Sequence, residues 1–158
     1  MKRNLWGAMA DARDEFIDVM GRHFEEEGVP RIAGRVFGFL MLGEEPCSLD
    51  DIAERLQVSK GSVSTNARLL EDWGVAVRIT RPGDRRDFYR IAPDLSERLI
   101  ERQLGRIELM IERLERSREA LGPLDPEVSA RFGRAVTFNR AAIRSLMSLR
   151  EELRRPAE

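Results

Sequence analysis

The chain has 158 residues, of which 42% are hydrophobic and 35% are charged, and its formal net charge is −1. This length suits one domain with a sizeable core, or one domain joined to an oligomerisation element. No apolar run approaches the roughly 18 residues that a membrane span needs, and the N-terminus has no apolar stretch of signal-peptide length. The single cysteine, Cys47, excludes an internal disulfide and fits a reducing compartment. We therefore expect a helix-rich, cytoplasmic protein with no membrane partner.

The basic side chains are concentrated in one segment. Residues 1–59 carry seven basic and twelve acidic side chains, whereas residues 60–90 carry seven basic and four acidic ones. Residues 91–158 have a net charge of +1. A local cluster of positive charge can bind phosphates even when the whole chain is close to neutral. The near-neutral total argues against non-specific coating of DNA.

Two amphipathic helices are predicted at the beginning of the chain. Apolar side chains recur at steps near 3.6 over residues 4–27. They are Met9, Phe16, Ile17, Met20 and Phe24. Gly28 is the expected C-cap of this helix, and Pro30 suits the first turn of the next one. That second helix is expected to end near residue 43, before a loop at residues 44–46.

A helix-turn-helix is the strongest pattern in the chain. Ser48 can cap a helix in which Asp51, three residues on, bonds back to the cap. Residues 57–59 form the predicted turn, and Ser59 can cap the second helix, which ends at residues 73–74. Each helix has an apolar face, formed by Ile52, Ala53 and Leu56 in the first and by Val63, Ala67 and Leu70 in the second.

Two β-type segments follow the second helix. They cover residues 75–80 and 88–92, and the Pro82-Gly83-Asp84 sequence between them is typical of a turn. The order of helix, turn, helix and β-hairpin describes a winged helix-turn-helix, an architecture that reads double-stranded DNA.

The C-terminal part of the chain has the pattern of long packed helices. Its first helix repeats apolar residues with a period of 3.5, which indicates packing along a partner helix. The repeating residues are Ile100, Leu104, Ile107, Ile111 and Leu114. Residues 122–126 break this helix, and a last helix is predicted from about residue 127 to residue 153. The outer helices carry more apolar surface than a small winged helix covers, so we expect a homodimer; the alternative is that they pack back onto their own domain.

The second helix of the motif presents small polar side chains opposite its buried face. The candidate DNA contacts are Ser59, Lys60, Gly61, Ser62, Ser64, Thr65, Asn66 and Arg68. Small side chains let a helix enter the major groove deeply, where hydroxyls bond bases or phosphates, Asn can contact adenine and Arg can contact guanine. Lys60 and Ser59 lie at a helix N-terminus, which favours a phosphate. A solvated surface face is the alternative for this helix taken alone, but the helix before it and the wing after it favour DNA.

The wing supplies a second group of candidate DNA contacts, Arg81, Arg85 and Arg86. An arginine at the end of a β-ribbon can enter the minor groove, where narrow A·T-rich stretches concentrate negative potential. Asp84 is a poor neighbour for a phosphate, so we expect it to fix the tip by bonding backbone N–H groups or by pairing with an arginine. The alternative is that Arg85 and Arg86 are solvated loop charges.

The segment LDDIAERLQVSKGSVSTNARLLEDWGVAVRITRPGDRRDFYRI resembles the winged helix-turn-helix of the MarR superfamily. The pieces VSKGSVSTNARLLEDWG and GVPRIAGRVFGFLML resemble its GbsR-type branch more closely, and the resemblance covers roughly residues 16–120. Members are dimeric bacterial or archaeal transcription factors, usually repressors. The resemblance implies a recognition helix from Lys60 to Arg68 and wing contacts from Arg85 and Arg86.

Other reactive residue types do not form a convincing site. His23 lies beside three glutamates, but nothing in the spacing of Glu26, Glu27 and Cys47 indicates a metal centre. Cys47 precedes a helix, where a thiol can be acidified and redox-sensitive, yet a small buried hydrophobe is the favoured interpretation. Close helix packing, and not a phosphate loop, is expected of Gly34, Gly38 and Gly43. With no Ser/His/Asp set, we expect no enzyme, no cofactor and no metal.

We therefore expect a mostly α fold with a small β-wing. It has an N-terminal dimerisation helix at residues 1–28, a winged helix-turn-helix domain at 29–92 and a C-terminal helical dimerisation region at 93–158. The predicted function is sequence-specific regulation of transcription by a homodimer that binds a pseudo-palindromic operator. Repression is the expected direction of control. A small-molecule effector that binds between the dimerisation helices could control DNA binding. It would need different affinities for two states of the dimer that differ in the spacing of the recognition helices. The alternatives are a winged helix for protein contacts and a non-specific architectural DNA binder.

Overall fold

The computed structural model describes the backbone of residues 2–155 and the side chains of residues 11–155. Within this range six helices and three strands follow one another along the chain. They are α1 (Lys2–Glu26), α2 (Arg31–Met41), β1 (Cys47–Ser48), α3 (Leu49–Leu56), α4 (Lys60–Asp72), β2 (Ala76–Arg81), β3 (Asp84–Ile91), α5 (Leu95–Leu121) and α6 (Pro126–Arg154). The first of two compact units ends at Leu95, and the second begins at Ser96. The expected mostly α fold with a small β-wing is confirmed.

The first two helices pack closely because glycine faces their contact. Gly28 ends α1 in the left-handed conformation with a φ of 75°, as expected of a C-cap. Pro30 was expected in the first turn of α2. It is the N-cap and so lies one residue before that turn. A Cβ atom at Gly34 would stand 2.2 Å from the Met20 carbonyl oxygen, and one at Gly38 would stand 3.1 Å from an α1 backbone atom. Close packing therefore requires glycine at position 34 and leaves little room for a side chain at position 38.

The third glycine expected at this contact, Gly43, does not take part in it. The nearest atom to a Cβ built at Gly43 would be 3.5 Å away, which is ordinary van der Waals contact. On the facing helix, Ile17 is buried at 4% exposure, as its apolar pattern predicts. The side chain of Met9, expected on the same face, lies outside the described residues.

The helix-turn-helix forms as its capping residues predict. The Ser48 hydroxyl accepts the Asp51 backbone N–H at 3.2 Å, while the Asp51 carboxylate accepts the Ser48 backbone N–H at 3.1 Å. These hydrogen bonds pair groups that a helix start leaves unsatisfied, and the bonds from Ser48 lower the pKa of Asp51. Gln57 makes the turn in the left-handed conformation, with a φ of 54°. Ser59 then caps α4 by accepting the Ser62 backbone N–H.

One apolar core holds the first unit together. The six apolar positions predicted for α3 and α4 are all at most 9% exposed. Side chains from α1, α2 and the sheet region join them: Ile17, Ala33, Val36, Leu40, Val75, Ala76 and Tyr89. Burial of apolar surface stabilises by about 25 cal/mol per Å², so this core fixes α4 against the helices and the sheet around it.

The wing is a three-stranded antiparallel sheet and not only a hairpin. β3 lies between β1 and β2, with Ser48 and Ile79 both opposite Phe88. The sequence did not predict β1, because a strand of two residues is too short to show alternation. β3 begins before the expected residue 88, because the turn is confined to Pro82 and Gly83. Gly83 has a φ of 80°, a conformation that glycine adopts without a steric cost.

The second unit contains two long antiparallel helices. The break predicted at residues 122–126 is found at residues 122–125, because Pro126 is already the first residue of α6. Asp125 caps α6 by accepting the Glu127 backbone N–H at 2.9 Å. The two helices are connected by ion pairs, which are Arg140–Glu115 at 2.9 Å and Arg154–Glu97 at 2.6 Å. The later residue of α6 pairs with the earlier residue of α5, which reflects the antiparallel direction of the two helices.

Much of the apolar surface of the second unit is exposed. Of the predicted heptad positions, Ile100 and Ile107 are buried, whereas the other three are half-buried. Within residues 126–154, α6 has no buried residue. Its apolar side chains include Phe138 at 73% and Leu153 at 53% exposure. The helices are thus confirmed, but their apolar pattern is incompletely covered within the single chain.

Candidate nucleic-acid interface

The exposed face of α4 is a line of small and polar side chains. Gly61, Thr65 and Arg68 are exposed and follow one another at steps of four and three residues, which puts them on one helix face. Ser62 and Ser64 flank this line and are half-buried. No atom lies within 4 Å of a Cβ built at Gly61, so the space in front of it is open. We call these five residues the α4 face.

Asn66 does not belong to the α4 face, contrary to the sequence-based expectation. Its side chain is only 7% exposed, and its amide nitrogen donates to the Ser62 carbonyl oxygen at 2.8 Å. Asn66 lies three residues after Val63 and four before Leu70, and both of those residues are fully buried. A buried amide in this position bonds the backbone of its own helix. Asn66 is therefore a structural residue of α4.

Lys60 is held by an ion pair at the start of α4. Its ammonium group lies 2.9 Å from both carboxylate oxygens of Asp50, which is in the first turn of α3. The lysine side chain is 59% exposed and the aspartate 51%, so water surrounds the pair. Ser59 is exposed at the N-cap. The N-terminus of α4 thus offers an anion the positive end of a helix dipole, while its lysine is engaged locally.

Asp84 fixes the tip of the wing in both of the ways expected from the sequence. Its carboxylate accepts the Arg86 backbone N–H at 3.0 Å and pairs with the Arg86 guanidinium, with Nη2 2.7 Å from Oδ2. These hydrogen bonds from Arg86 lower the pKa of Asp84 to about 2, and the same contact raises the pKa of Arg86. The charge of Arg86 is therefore engaged within the wing.

The other two wing arginines have different surroundings. The Arg81 guanidinium lies 4.1 Å from the centre of the Phe88 ring, and its Nη2 approaches the Pro46 carbonyl oxygen at 3.4 Å. Arg86 lies over the same ring at 5.2 Å. Among the side chains of residues 11–155, that of Arg85 is exposed and takes no ion pair or hydrogen bond. Arg85 therefore offers a free charge to solvent.

A partly buried polar cluster couples α4 to the sheet. The Tyr89 hydroxyl donates to the Glu71 carboxylate at 3.3 Å, and burial followed by the charge of Glu71 raises the pKa of Tyr89. Arg78 lies 3.5 Å from Glu71 and 3.7 Å from Asp87. Glu71 belongs to α4, whereas the other three residues belong to β2 and β3. The orientation of the helix and that of the wing are therefore fixed together.

Two residues that shape this surface, Asp50 and Phe88, were not predicted from the sequence pattern. Asp50 and Lys60 are ten residues apart, with a turn between them, so no helical periodicity relates them. Only the crossing of α3 and α4 in a helix-turn-helix could have indicated the pair. Phe88 shows β propensity in the sequence, but its contact with two arginines depends on the register of the hairpin.

The other reactive residues do not assemble into a site. His23 is exposed, and no group of three or more His, Cys, Asp or Glu side chains in the described part of the chain could hold a metal ion. Cys47 is half-buried, and burial, the largest cause, raises the pKa of its thiol. A reactive cysteine needs a lowered thiol pKa, so the raised pKa supports the interpretation of Cys47 as a small apolar side chain. Within residues 2–155, no helix is both long and apolar enough to span a bilayer.

Comparison with known proteins identifies relatives of the winged helix-turn-helix part of the chain. The model of the MarR family matches residues 27–87, which contain α3, α4 and the turn of the wing. HTH-type transcriptional regulator MmpR5 of Mycobacterium tuberculosis is 40% identical over 51% of this chain and 49% of that protein. HTH-type transcriptional repressor GbsR of Bacillus subtilis is 32% identical over 53% of this chain and 46% of that protein. The chain thus spans about half the length of these relatives.

A solved structure supports the fold over a longer stretch. It is described as the crystal structure of a transcriptional regulator and is 27% identical to this chain, with a TM-score of 0.82. The match covers 90% of this chain and 99% of the other. The family model over residues 27–87 supports the resemblance to the MarR superfamily, and the GbsR relative supports the resemblance to its GbsR-type branch over about half of the chain.

Proposed function

Because the chain carries a MarR-family winged helix-turn-helix domain at residues 27–87, we propose that it binds double-stranded DNA as a regulator of transcription. α4 is the recognition helix, and Arg85 of the wing contacts the adjacent minor groove. The observation that carries the proposal is the open, polar α4 face combined with an unpaired arginine beside the tip of a β-hairpin.

The chemistry of the α4 face supports contacts with base edges. Arg68 can make two hydrogen bonds to one guanine, a contact that discriminates by about 1–3 kcal/mol. The hydroxyls of Ser64 and Thr65 can bond bases or phosphates. Gly61 has open space before it, so the helix backbone can approach the floor of the groove closely. These properties favour sequence-specific binding over contact with phosphates alone.

The arrangement of the wing supports separate roles for its arginines. Arg86 is bound to Asp84 and Arg81 packs on Phe88, so both stabilise the shape of the hairpin. Arg85 is left to meet the negative potential of a narrow minor groove. The shared contacts of Glu71, Arg78 and Tyr89 hold the wing at a constant position relative to α4.

The second unit supports a homodimer. α6 buries none of its residues within one protomer, and Phe138 is 73% exposed near its middle. A partner copy would cover these apolar side chains, with residues 1–28 adding to the same interface. A two-fold dimer presents two recognition helices, so its operator would be a pseudo-palindrome with half-sites about one helical turn apart.

Repression is the direction of control that the relatives favour, since the GbsR relative is described as a repressor. A dimer seated on a promoter would exclude other proteins from the same DNA. A small effector that binds between the helical arms would release the dimer only if it prefers one spacing of the two recognition helices over the other.

A selection from random duplex DNA tests the proposal. The purified protein is incubated with a random pool at near-physiological salt, and bound duplexes are amplified and sequenced over several rounds. We expect a two-fold symmetric motif that binds at least about a thousandfold more tightly than unrelated duplex. Salt-sensitive binding of every duplex alike would indicate an architectural protein. No duplex binding would indicate a winged helix that contacts proteins.

A further inference from the structure

Two carboxylates engage basic groups of the proposed DNA-binding surface, and they do so differently. Asp84 belongs to the wing turn and also accepts a backbone N–H of Arg86, so that pair is built into the hairpin. The Asp50–Lys60 contact joins two side chains only, and both are more than half exposed. Lys60 can therefore leave Asp50 without any change in the backbone.

Helix capping does not explain Asp50. The capping box of α3 is formed by Ser48 and Asp51, which accept and donate all of its hydrogen bonds. Asp50 contributes a negative charge near the N-terminus of α3, which is favourable for the helix dipole but is also supplied by Asp51. In a docked helix-turn-helix, the first helix crosses the DNA backbone. A second carboxylate there stands close to phosphates and weakens binding.

The pairing also neutralises a cation at a place suited to a phosphate. Lys60 is the first residue of α4, where backbone N–H groups and the helix dipole attract an anion. An exposed ion pair is weak, so a phosphate at close range can displace the carboxylate. A phosphate several ångströms away cannot, because water and salt screen its charge.

We propose that Asp50 is a specificity residue of the DNA-binding function proposed above. In loosely docked complexes with arbitrary duplex, Lys60 stays on Asp50 and adds nothing to affinity. When α4 is fully seated in its operator, a backbone phosphate comes within reach and takes Lys60 from Asp50. The operator complex has to give up the Asp50–Lys60 contact, whereas the loose complex keeps it. The contact therefore lowers operator affinity more than non-specific affinity, and it limits the ratio of the two.

The change Asp50→Asn tests this, because it keeps the size of the side chain and removes its charge. Operator affinity should rise roughly two- to fivefold for each bound protomer, the range that exposed ion pairs imply, because the contact no longer has to be broken. The dependence of log K on log[salt] for the operator should stay the same, since Lys60 already neutralises a phosphate there. Affinity for unrelated duplex should rise less, so the ratio of operator affinity to non-specific affinity rises.

Two matched variants separate this role from a general effect of charge. Glu54→Gln removes a carboxylate one turn further along α3, where the described residues hold no ion pair with it. It should change neither the ratio nor the salt slope appreciably. In a Lys60→Gln background, Asp50→Asn should lose its effect on the ratio. Asp50→Ala serves as a second charge-removing variant, and thermal unfolding verifies that all variants are folded.

The outcomes distinguish this inference from the proposed function. Operator binding with an unchanged ratio in Asp50→Asn and Asp50→Ala overturns the inference alone. An equal effect of Glu54→Gln, or an Asp50→Asn effect that persists without Lys60, also overturns it, because net charge would then be the cause. Failure of the unmodified protein to bind any duplex overturns the proposed function, and the inference with it.

Discussion

At the tip of the wing, two adjacent arginines differ in what their charges meet. Successive side chains of a strand point to opposite faces of the sheet, so Arg86 reaches Asp84 while Arg85 does not. The same alternation brings Arg86 over the Phe88 ring. A pair of residues that looks equivalent in the sequence is thereby divided into one that shapes the wing and one that is available to a ligand.

The Asp84–Arg86 pair should survive deep into the acid range. The pKa of Asp84 in the folded protein is about 2, below the ordinary 3.8, because Arg86 donates to the charged carboxylate. The stability it contributes is therefore complete above the ordinary value and is lost as the pH falls through about 2. Carbon-13 NMR of the Asp84 carboxyl group should give that low midpoint.

The variant Arg86→Gln is the control for this titration. It removes the guanidinium, so the Asp84 midpoint should move up toward the ordinary value. A midpoint near 3.8 in the unmodified protein would show that the pair does not form in solution. Between pH 5 and 8 the pair stays ionised, so Asp84 should cause no pH dependence of DNA binding.

At the scale of helices and strands, the features that depend on residues close in the sequence were predicted correctly. The capping box at Ser48 and the periodic apolar positions of α3 and α4 are short-range features, and the structure confirms them. The strand β1 was missed because it depends on pairing with β3, which is distant in the sequence. The partner of Lys60 was missed because it lies on another helix. The burial of Asn66 was missed although its spacing from Val63 and Leu70 places it on the buried face of α4.

The contact of α1 with α2 leads to a prediction about two glycines. Gly34→Ala places a methyl group 2.2 Å from a backbone oxygen, which cannot move without displacing α1. It should lower the free energy of unfolding by at least about 2 kcal/mol. The methyl group of Gly61→Ala has no atom within 4 Å. This substitution should leave the free energy of unfolding unchanged or raise it by up to about 1 kcal/mol.

Urea unfolding followed by circular dichroism measures both values. Equal, small effects of the two substitutions would contradict the close packing of α1 on α2. Gly61→Ala should also weaken operator binding, because its methyl group projects from the α4 face. That combination of retained stability and reduced affinity is characteristic of a residue that contacts a ligand.

At the scale of the whole molecule, the two units differ in how completely they bury their apolar residues. The first unit encloses a core that spans α1 to β3. The core includes eleven positions at or below 4% exposure, Ile17, Ala33, Val36, Leu40, Ile52, Leu56, Val63, Ala67, Leu70, Ala76 and Tyr89. The second unit exposes Leu109, Met110, Phe138 and Leu153. These exposed apolar side chains are the ones that the proposed dimer would cover.

The exposed apolar side chains of α6 lead to a prediction about assembly. Phe138→Glu puts a charge where the proposed dimer needs an apolar contact, and the loss should exceed about 2 kcal/mol in dimerisation, roughly thirtyfold in Kd. Phe138→Leu keeps an apolar side chain and should remain largely dimeric. Sedimentation equilibrium measures the dissociation constants. Phe138 is 73% exposed in one protomer, so neither change should unfold the chain; a dimer unaffected by Phe138→Glu would exclude this part of α6 from the interface.

The most direct test of DNA recognition is the affinity of one selected operator duplex for matched arginine variants. Fluorescence anisotropy at about 0.15 M salt, where exposed charges beyond about 8 Å are screened, measures each dissociation constant. Arg85→Ala should weaken binding about tenfold or more, the scale of one lost groove contact. Arg116→Ala removes the same charge from an exposed residue of α5 that pairs with Glu112 and should change the affinity less than about twofold. Equal losses for the two variants, or no loss for Arg85→Ala, would contradict a wing that reads DNA beside α4.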